Sequence, residues 1–219
     1  MKLPKDLQAK CILRLKQGME QMGQAMTESE QDRLASYLRL LLKWNSAYNL
    51  TAVRDPQEMV VRHLLDSLSI LPYISGQALL DAGTGPGLPG IPLAIMQPGR
   101  RFTLLDSNGK KIRFVRQAAL ELELENVIAV QQRIEDQNPT ATLDLVMARA
   151  FTALPQLYCM CNPLLRPGGR LLAMKGTARS IADEMSDLEG VTTEVHRLNV
   201  PFLEEERHLV IIQEAGISR

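Results

Sequence analysis

Asp81, Gly83, Gly85 and Gly87 stand at every second position of the stretch ALLDAGTGPGLPG, residues 78–90. The apolar run Ala78, Leu79 and Leu80 leads into Asp81, and Ile91 opens a new apolar segment beyond Gly90. That order describes a buried strand running through a glycine-rich turn into a helix. Glycines there free the backbone for positive φ and let a ligand lie against it with no Cβ in the way. A turn of this kind, at the carboxyl end of a first strand, is where open α/β sheets bind nucleotide-like cofactors. Asp106 ends the next candidate strand, roughly twenty residues past the turn, where a carboxylate can accept hydrogen bonds from both hydroxyls of a ribose.

The turn alone leaves the cofactor open. Gly85-x-Gly87-x-x-Gly90 also fits the dinucleotide fingerprint, and Asp106 would serve a nicotinamide cofactor equally well. A glycine turn with no ligand is a third reading. Against a dinucleotide, Pro89 and Pro92 fall in the first helical turn and remove N–H groups that a pyrophosphate would use. The pattern Asp81-x-Gly83-x-Gly85-x-Gly87 resembles the first motif of class I S-adenosylmethionine-dependent methyltransferases, whose donor carries no phosphate. Arg166-Pro167-Gly168-Gly169 is similar to a turn that many of these enzymes carry before the fifth strand.

The elements around the turn change character near residue 76. Residues 1–75 read as helices. Leu7, Ile12, Leu15, Met19 and Met22 form an apolar stripe, and Thr27 with Glu30 reads as a capping box. The next helix carries Leu34, Tyr37, Leu38, Leu41 and Leu42 on one side and is expected to end near Trp44-Asn45. Asp55-Pro56 with Glu58 signals a further start, with proline at the first helical position and a stop before Pro72. From residue 78 strands and helices alternate. The expected strands cover 79–82, 102–106, 127–131, 143–148, 170–174, 192–198 and 208–212, and the expected helices 91–96, 110–122, 154–165 and 178–188. Right-handed crossovers between such units build a mostly parallel sheet covered on both faces. The expectation is an N-terminal helical extension, 1–75, packed on a Rossmann-like domain, 76–219.

Bulk properties bound the rest. The chain has 219 residues and a mass of 24.4 kDa, with 25 Lys+Arg against 25 Asp+Glu. Any nucleic-acid binding must therefore use a local basic patch. No apolar run approaches a membrane span, and the polar N-terminus MKLPKDLQAK is unlike a signal peptide. Three cysteines suggest a reducing, cytoplasmic compartment rather than a disulfide framework. Cys159 and Cys161 fall within an expected helix and read as a pair of buried thiols rather than nucleophiles or ligands; no metal is expected.

Several short stretches, in order and spacing over nearly the whole chain, are together similar to the RsmG (GidB) family. They are Trp44-Asn45 with Asn49-Leu50-Thr51-Ala52, Arg62-His63 with Asp66-Ser67, and GTGPGLPGIPLAI at 83–95. Asp106-Ser107 with Lys110-Lys111 and Phe114, Arg133 with Glu135, Ala148-Arg149-Ala150, Lys175-Gly176 and Glu206-Arg207 follow. Leu88 departs from a position where the family often carries an aromatic residue, and Thr84 from a frequent Ser. The resemblance implies a class I methyltransferase fold with a seven-stranded sheet, S-adenosylmethionine as donor and S-adenosylhomocysteine as product. It implies methylation of N7 of a guanosine, number 527, in bacterial 16S ribosomal RNA, presented as RNA or as a small-subunit particle. By the same resemblance Gly83, Leu88, Ile134, Glu135 and Arg149 contact the donor, beside Gly85, Gly87 and Asp106. Guanine N7 has a free lone pair and loses no proton on attack, so no acid–base residue is named; the reaction asks for alignment.

Candidate RNA contacts are Lys175 and Arg207, at strand ends on the cofactor side, with Arg62, His63, Lys110 and Lys111. His63 is read either as an RNA contact or as a structural histidine. The wider cluster of Arg100, Arg101, Lys110, Lys111, Arg113 and Arg116 could meet phosphates or simply coat an exposed helix. Phe151 could stack on a base or fill a core. A monomer is expected. A nicotinamide-dependent oxidoreductase and a non-catalytic RNA-binding adaptor on a methyltransferase fold stand as alternatives.

Overall fold

The computed structural model describes residues 4–215. Helix α1 (Lys5–Gln21) is followed by α2 (Glu28–Tyr48), whose start is the expected capping box. The Thr27 hydroxyl accepts from the Glu30 amide at 3.3 Å, and the Glu30 carboxylate accepts from the Thr27 amide at 2.7 Å. α2 runs past the expected stop near Asn45. Asn45 does not break the helix because its side-chain amide is engaged elsewhere, donating to the Val53 carbonyl and accepting from the Thr51 amide. Asn49, at φ 50°, ends it in the left-handed region. The Asp55 carboxylate caps α3 (Pro56–Met59) by accepting from the amides of Gln57 and Glu58, both at 2.9 Å. The helix continues through a π-helical segment, Val60–Leu65, into α4 (Asp66–Leu68).

The sheet comprises β1 (Ala78–Ala82), β2 (Arg101–Asp106), β3 (Val127–Gln131), β4 (Leu143–Arg149), β5 (Leu165–Lys175), β6 (Val191–Leu198) and β7 (Arg207–Glu214). Its order is β3-β2-β1-β4-β5-β7-β6, with β1 to β5 parallel and β7 antiparallel to both neighbours. Helices α5 (Gly90–Met96), α6 (Gly109–Glu121), α7 (Leu154–Cys161) and α8 (Ala178–Met185) make the crossovers. The chain order reverses at β1/β4, so the ends of β1, β2 and β4 open the crevice that such sheets use for ligands.

Further boundaries differ from expectation, α8 among them, which ends at Met185 rather than at 188. β5 begins at Leu165, because Leu165 already pairs with Leu143 before an irregularity that Arg166–Gly169 occupies, with Gly168 at φ 76°. α7 stops at Cys161 and tightens into a 3-10 turn over Asn162–Leu164, where Pro163 cannot continue the helix. The expected pair of buried thiols is also corrected. Cys161 is buried, its thiol pushed up to about 12 by that burial, whereas Cys159 is exposed. Residues two apart on a helix point to different sides, so both cannot face the core.

Alternation along β1 divides the interior. Leu79 joins a cluster holding Tyr37, Leu41, Leu64, Leu65, Phe102, Phe114 and Leu145, while Leu80 joins Val146, Leu157, Cys161 and Ile181 on the other face. The first cluster draws residues from both sides of position 75. Tyr37, Leu41, Leu64 and Leu65 are fully buried, each such side chain contributing about 1.5–3 kcal/mol. The N-terminal helices thus cover one sheet face and reach the crevice. Among the described residues no helix is long and apolar enough to cross a membrane.

Candidate functional site

The turn after β1 is held from several sides. One Asp81 carboxylate oxygen accepts the Thr84 hydroxyl at 2.6 Å and the Gly90 amide at 2.8 Å. The Tyr37 hydroxyl, from α2, donates to the Pro86 carbonyl at 2.7 Å. Gly83 (φ +67°) and Gly85 (φ +60°) take the left-handed conformations expected of them. A Cβ on Gly83 would stand 2.2 Å from the Phe151 ring. A Cβ on Gly87 would meet Ile91 at 2.5 Å, so Gly87 lets the turn close on α5 and lines neither recess described below.

Two adjoining recesses share Gly83, Lys111 and Ala150. The smaller, about 290 Å³, is lined by Asp106, Gln132, Ile134, Glu135 and Phe151 among others. Asp106 ends β2 with one oxygen accepting the Gly85 amide at 3.0 Å and the other the Asn108 amide at 2.8 Å. Lys111 Nζ lies 3.6 Å from it. Each carboxylate oxygen keeps further acceptor capacity for a ligand hydroxyl. Ile134 is buried in a single 3-10 turn, with Glu135 exposed beside it. The larger recess, about 450 Å³, brings together Gly85, Leu88, Arg62, His63, Arg149, Lys175 and Arg207 with Asp66.

The basic residues differ in how free they are. Arg62 is paired with Glu58 at 3.0 Å and Glu205 at 2.6 Å. Lys175 donates to Glu184 at 2.7 Å and to the Thr152 carbonyl at 2.8 Å. Lys110 is exposed and lines neither recess. Of the wider cluster only Lys111 lines the crevice. Arg100 donates to the Gly76 carbonyl, and Arg116 covers the free edge of β3 by donating to the Ala129 carbonyl. Phe151 is 41 % exposed beside Ala150, which holds φ 49°.

Three contributors were given no role by the sequence. Tyr37 reads as one more apolar stripe residue, and Thr51 and Asp66 stand in stretches that carry the family resemblance without an assigned part in the site. Thr51 Oγ1 accepts from the Val53 amide and lies 2.8 Å from His63 Nε2. Which of the two atoms donates depends on the tautomer of the ring. His63 Nδ1 and the second Asp81 oxygen are buried without a partner.

Burial acts on these two groups in opposite senses. It pushes the Asp81 carboxyl from 3.8 up to about 6, against the Thr84 and Gly90 hydrogen bonds. It pushes His63 from 6.5 down to about 4, aided by the charge of Arg149. Each shift corresponds to about 3 kcal/mol. The Asp81 contribution to stability is complete below 3.8 and is lost as pH rises through about 6. The His63 contribution is complete above 6.5 and is lost as pH falls through about 4. The two slopes oppose each other across that window. Asp81→Asn removes the falling limb, so its stability is expected to climb by about 3 kcal/mol more than that of the wild type between pH 4 and pH 6.5. Urea melts at both ends of the window measure this; equal slopes in the two proteins would contradict it.

With that geometry, comparison with known proteins is direct. The sequence family described as rRNA small subunit methyltransferase G (GidB) matches residues 30–210. The Ribosomal RNA small subunit methyltransferase G of Methylococcus capsulatus is 51% identical over 203 residues, 92% of this chain and 98% of that protein. The protein of the same name from Klebsiella pneumoniae (strain 342) is 50% identical over 197 residues, 89% of this chain and 94% of that one. Among solved structures, magnesium protoporphyrin IX methyltransferase from Synechocystis PCC 6803, with S-adenosylmethionine bound, superposes with a TM-score of 0.57 at 17% identity. That match covers 81% of this chain and 97% of that one. At such identity the likeness is one of fold, the class I Rossmann-like methyltransferase sheet.

Proposed function

This chain belongs to the rRNA small subunit methyltransferase G (GidB) family, and from that premise we propose that it transfers a methyl group from S-adenosylmethionine to N7 of a guanosine in 16S ribosomal RNA. The observation that carries the reading is the joining of two recesses at Gly83: one has the chemistry for an adenosine, and five cationic side chains, Arg62, Lys111, Arg149, Lys175 and Arg207, line the other. Asp106 would accept from the ribose hydroxyls, and Ile134 and Glu135 would hold the adenine. Gly83 and Gly85 let the donor lie on bare backbone, and Leu88 closes the floor. The bare backbone at Gly83 and Gly85, both at positive φ, and the spare acceptor capacity of Asp106 suit a phosphate-free adenosine ligand.

S-adenosylmethionine supplies an electrophilic methyl on a sulfonium and leaves as S-adenosylhomocysteine. Guanine N7 attacks with its own lone pair, so no residue need remove a proton. What the chain contributes is alignment and exclusion of water, and orientation can lower such a barrier by about 7–11 kcal/mol. Arg149 and Arg207 present donors to the nucleotide, Lys111 adds charge where the recesses meet, and Phe151 offers a ring face on which a purine can stack. Arg62 and Lys175 reach RNA only by exchanging their carboxylate partners.

The test is nucleoside mass spectrometry of 16S rRNA from cells lacking this protein. One N7-methylguanosine is expected to disappear, and to return with the wild-type gene but not with Gly83→Asp. An unchanged profile would refute the RNA assignment. Saturable binding of NAD(P) instead of S-adenosylhomocysteine would favour an oxidoreductase. Donor-product binding with no transfer to any RNA would favour a non-catalytic adaptor.

A further inference from the structure

Asp66 opens α4 and is 3 % exposed, yet it stands in the wall of the larger recess. Its carboxylate receives two guanidinium groups from distant parts of the chain. Arg149, the last residue of β4, donates through Nη1 to Oδ2 at 3.0 Å. Arg207, the first residue of β7, donates through Nε to Oδ1 at 3.1 Å. The arginines are also tied to backbone, Arg149 Nη1 to the Arg62 carbonyl at 3.1 Å and Arg207 Nη1 to the Glu206 carbonyl at 2.9 Å. Arg149 Nε and Nη2 and Arg207 Nη2 have no protein acceptor among the described residues.

We propose that Asp66 is a positioning residue for methyl transfer: a single carboxylate that fixes both guanidiniums so that their remaining N–H groups meet acceptor oxygens of the target nucleotide. The proposal rests on the RNA-methylation reading above. Two cations brought to one recess repel, and a free arginine side chain samples many rotamers. A carboxylate between them offsets the repulsion and orients each planar fork, which an ammonium could not use in the same way. A buried ion pair is weak evidence for stability, since apolar side chains of similar volume hold a fold as well. Three charged groups kept in a crevice wall, with donors left over, point to work done in the crevice. The same contact ties the N-terminal helices to the ends of β4 and β7, so the extension orients substrate-facing groups as well as covering the sheet.

The experiment compares full-length wild type, Asp66→Glu and Asp66→Asn, with small-subunit particles from cells lacking this protein as methyl acceptor. Steady-state rates are normalised to S-adenosylhomocysteine sites titrated by calorimetry. Asp66→Glu keeps the charge and displaces the forks by one methylene. Turnover per site is expected to fall about tenfold in Asp66→Glu and about 100-fold in Asp66→Asn, with KM for the particle changed less than turnover. Affinity for S-adenosylhomocysteine should stay within about threefold. In an Arg149→Lys background, Asp66→Glu should cost little more, because the two residues act as a unit. Wild-type turnover per site in Asp66→Glu, or a full additional cost in the Arg149→Lys background, would overturn the proposal. A merely structural role lowers the melting temperature and the number of sites but not turnover per site. If Asp66→Asn does not fold, the Asp66→Glu comparisons decide alone. Should the wild type methylate an rRNA base at a position other than guanine N7, the preceding reading fails while these comparisons still decide the role of Asp66. No transfer by the wild type would sink both.

Discussion

An Asp106→Ala protein is expected to bind S-adenosylhomocysteine at least about 100-fold more weakly than the wild type while keeping its fold. Asp106 sits at the end of β2 with both oxygens already accepting backbone amides, from Gly85 at 3.0 Å and Asn108 at 2.8 Å. Those bonds aim the remaining lone pairs and tie the glycine turn to the neighbouring strand. A hydrogen bond to a charged group contributes about 1.5–3 kcal/mol. Losing two to a ribose is a factor of about 10² to 10⁴ in affinity. The substitution also leaves Lys111, 3.6 Å away, without its carboxylate. Calorimetry reports the affinity and circular-dichroism melting the fold. Affinity within about threefold of the wild type would remove Asp106 from the donor site.

Gly83→Ala is expected to lose donor-product affinity by about 100-fold as well, for two separable reasons. Gly83 holds φ +67°, where an L-residue costs about 1–2 kcal/mol. Its added Cβ would also stand 2.2 Å from the Phe151 ring, so either the ring or the turn must move. Phe151 is partly exposed and lines the smaller recess, so a ring that yields changes the shape of that recess. Adding Phe151→Ala to Gly83→Ala removes the collision and leaves the backbone cost. The double variant should recover roughly tenfold of the lost affinity and no more, as the residual cost amounts to about a factor of 5–30. Full affinity in Gly83→Ala would show that the turn is not the cradle. No recovery in the double variant would show that backbone conformation alone is at stake.

The same residues show how far sequence reasoning reaches. Thr27 and Glu30, Asp55 and Pro56, and the glycines after β1 act on partners within a few positions. Their spacing therefore specifies a cap, a helix start or a left-handed turn without the rest of the molecule. β3, with Val127–Gln131, matches its expected limits because a run bounded by turn residues declares itself. Where a bound depended on distant pairing, the pattern fell short. Nothing near Leu165 announces that it pairs with Leu143, so β5 begins earlier than its apolar run. Asn45 looks like a helix end, yet partners across a loop keep it inside α2.

The candidate site divides along the same line. Gly83, Gly85 and Asp106 stand out by local spacing, whereas Leu88, Ile134, Glu135 and Arg149 were singled out only through the family resemblance; all of them line one or other of the two recesses. The basic residues were not separable by type. A free lysine and a lysine locked to Glu184 have the same letter, and only the neighbour tells them apart. Lys111 reaches the crevice while Lys110 does not, because adjacent residues of α6 point in different directions.

By itself, then, the amino-acid order determined the alternation of strands and helices and the glycine turn after β1, with a carboxylate, Asp106, at the end of β2. Those follow from short-range sterics and hydrophobic period, which act within a few residues. The tertiary structure alone decided that α2 clamps the turn through Tyr37, that Cys159 faces out, and that Asp66 joins Arg149 to Arg207. Asp66 stands more than 80 positions from either arginine, and a carboxylate's electrostatic role is set by which charges folding brings within hydrogen-bonding distance.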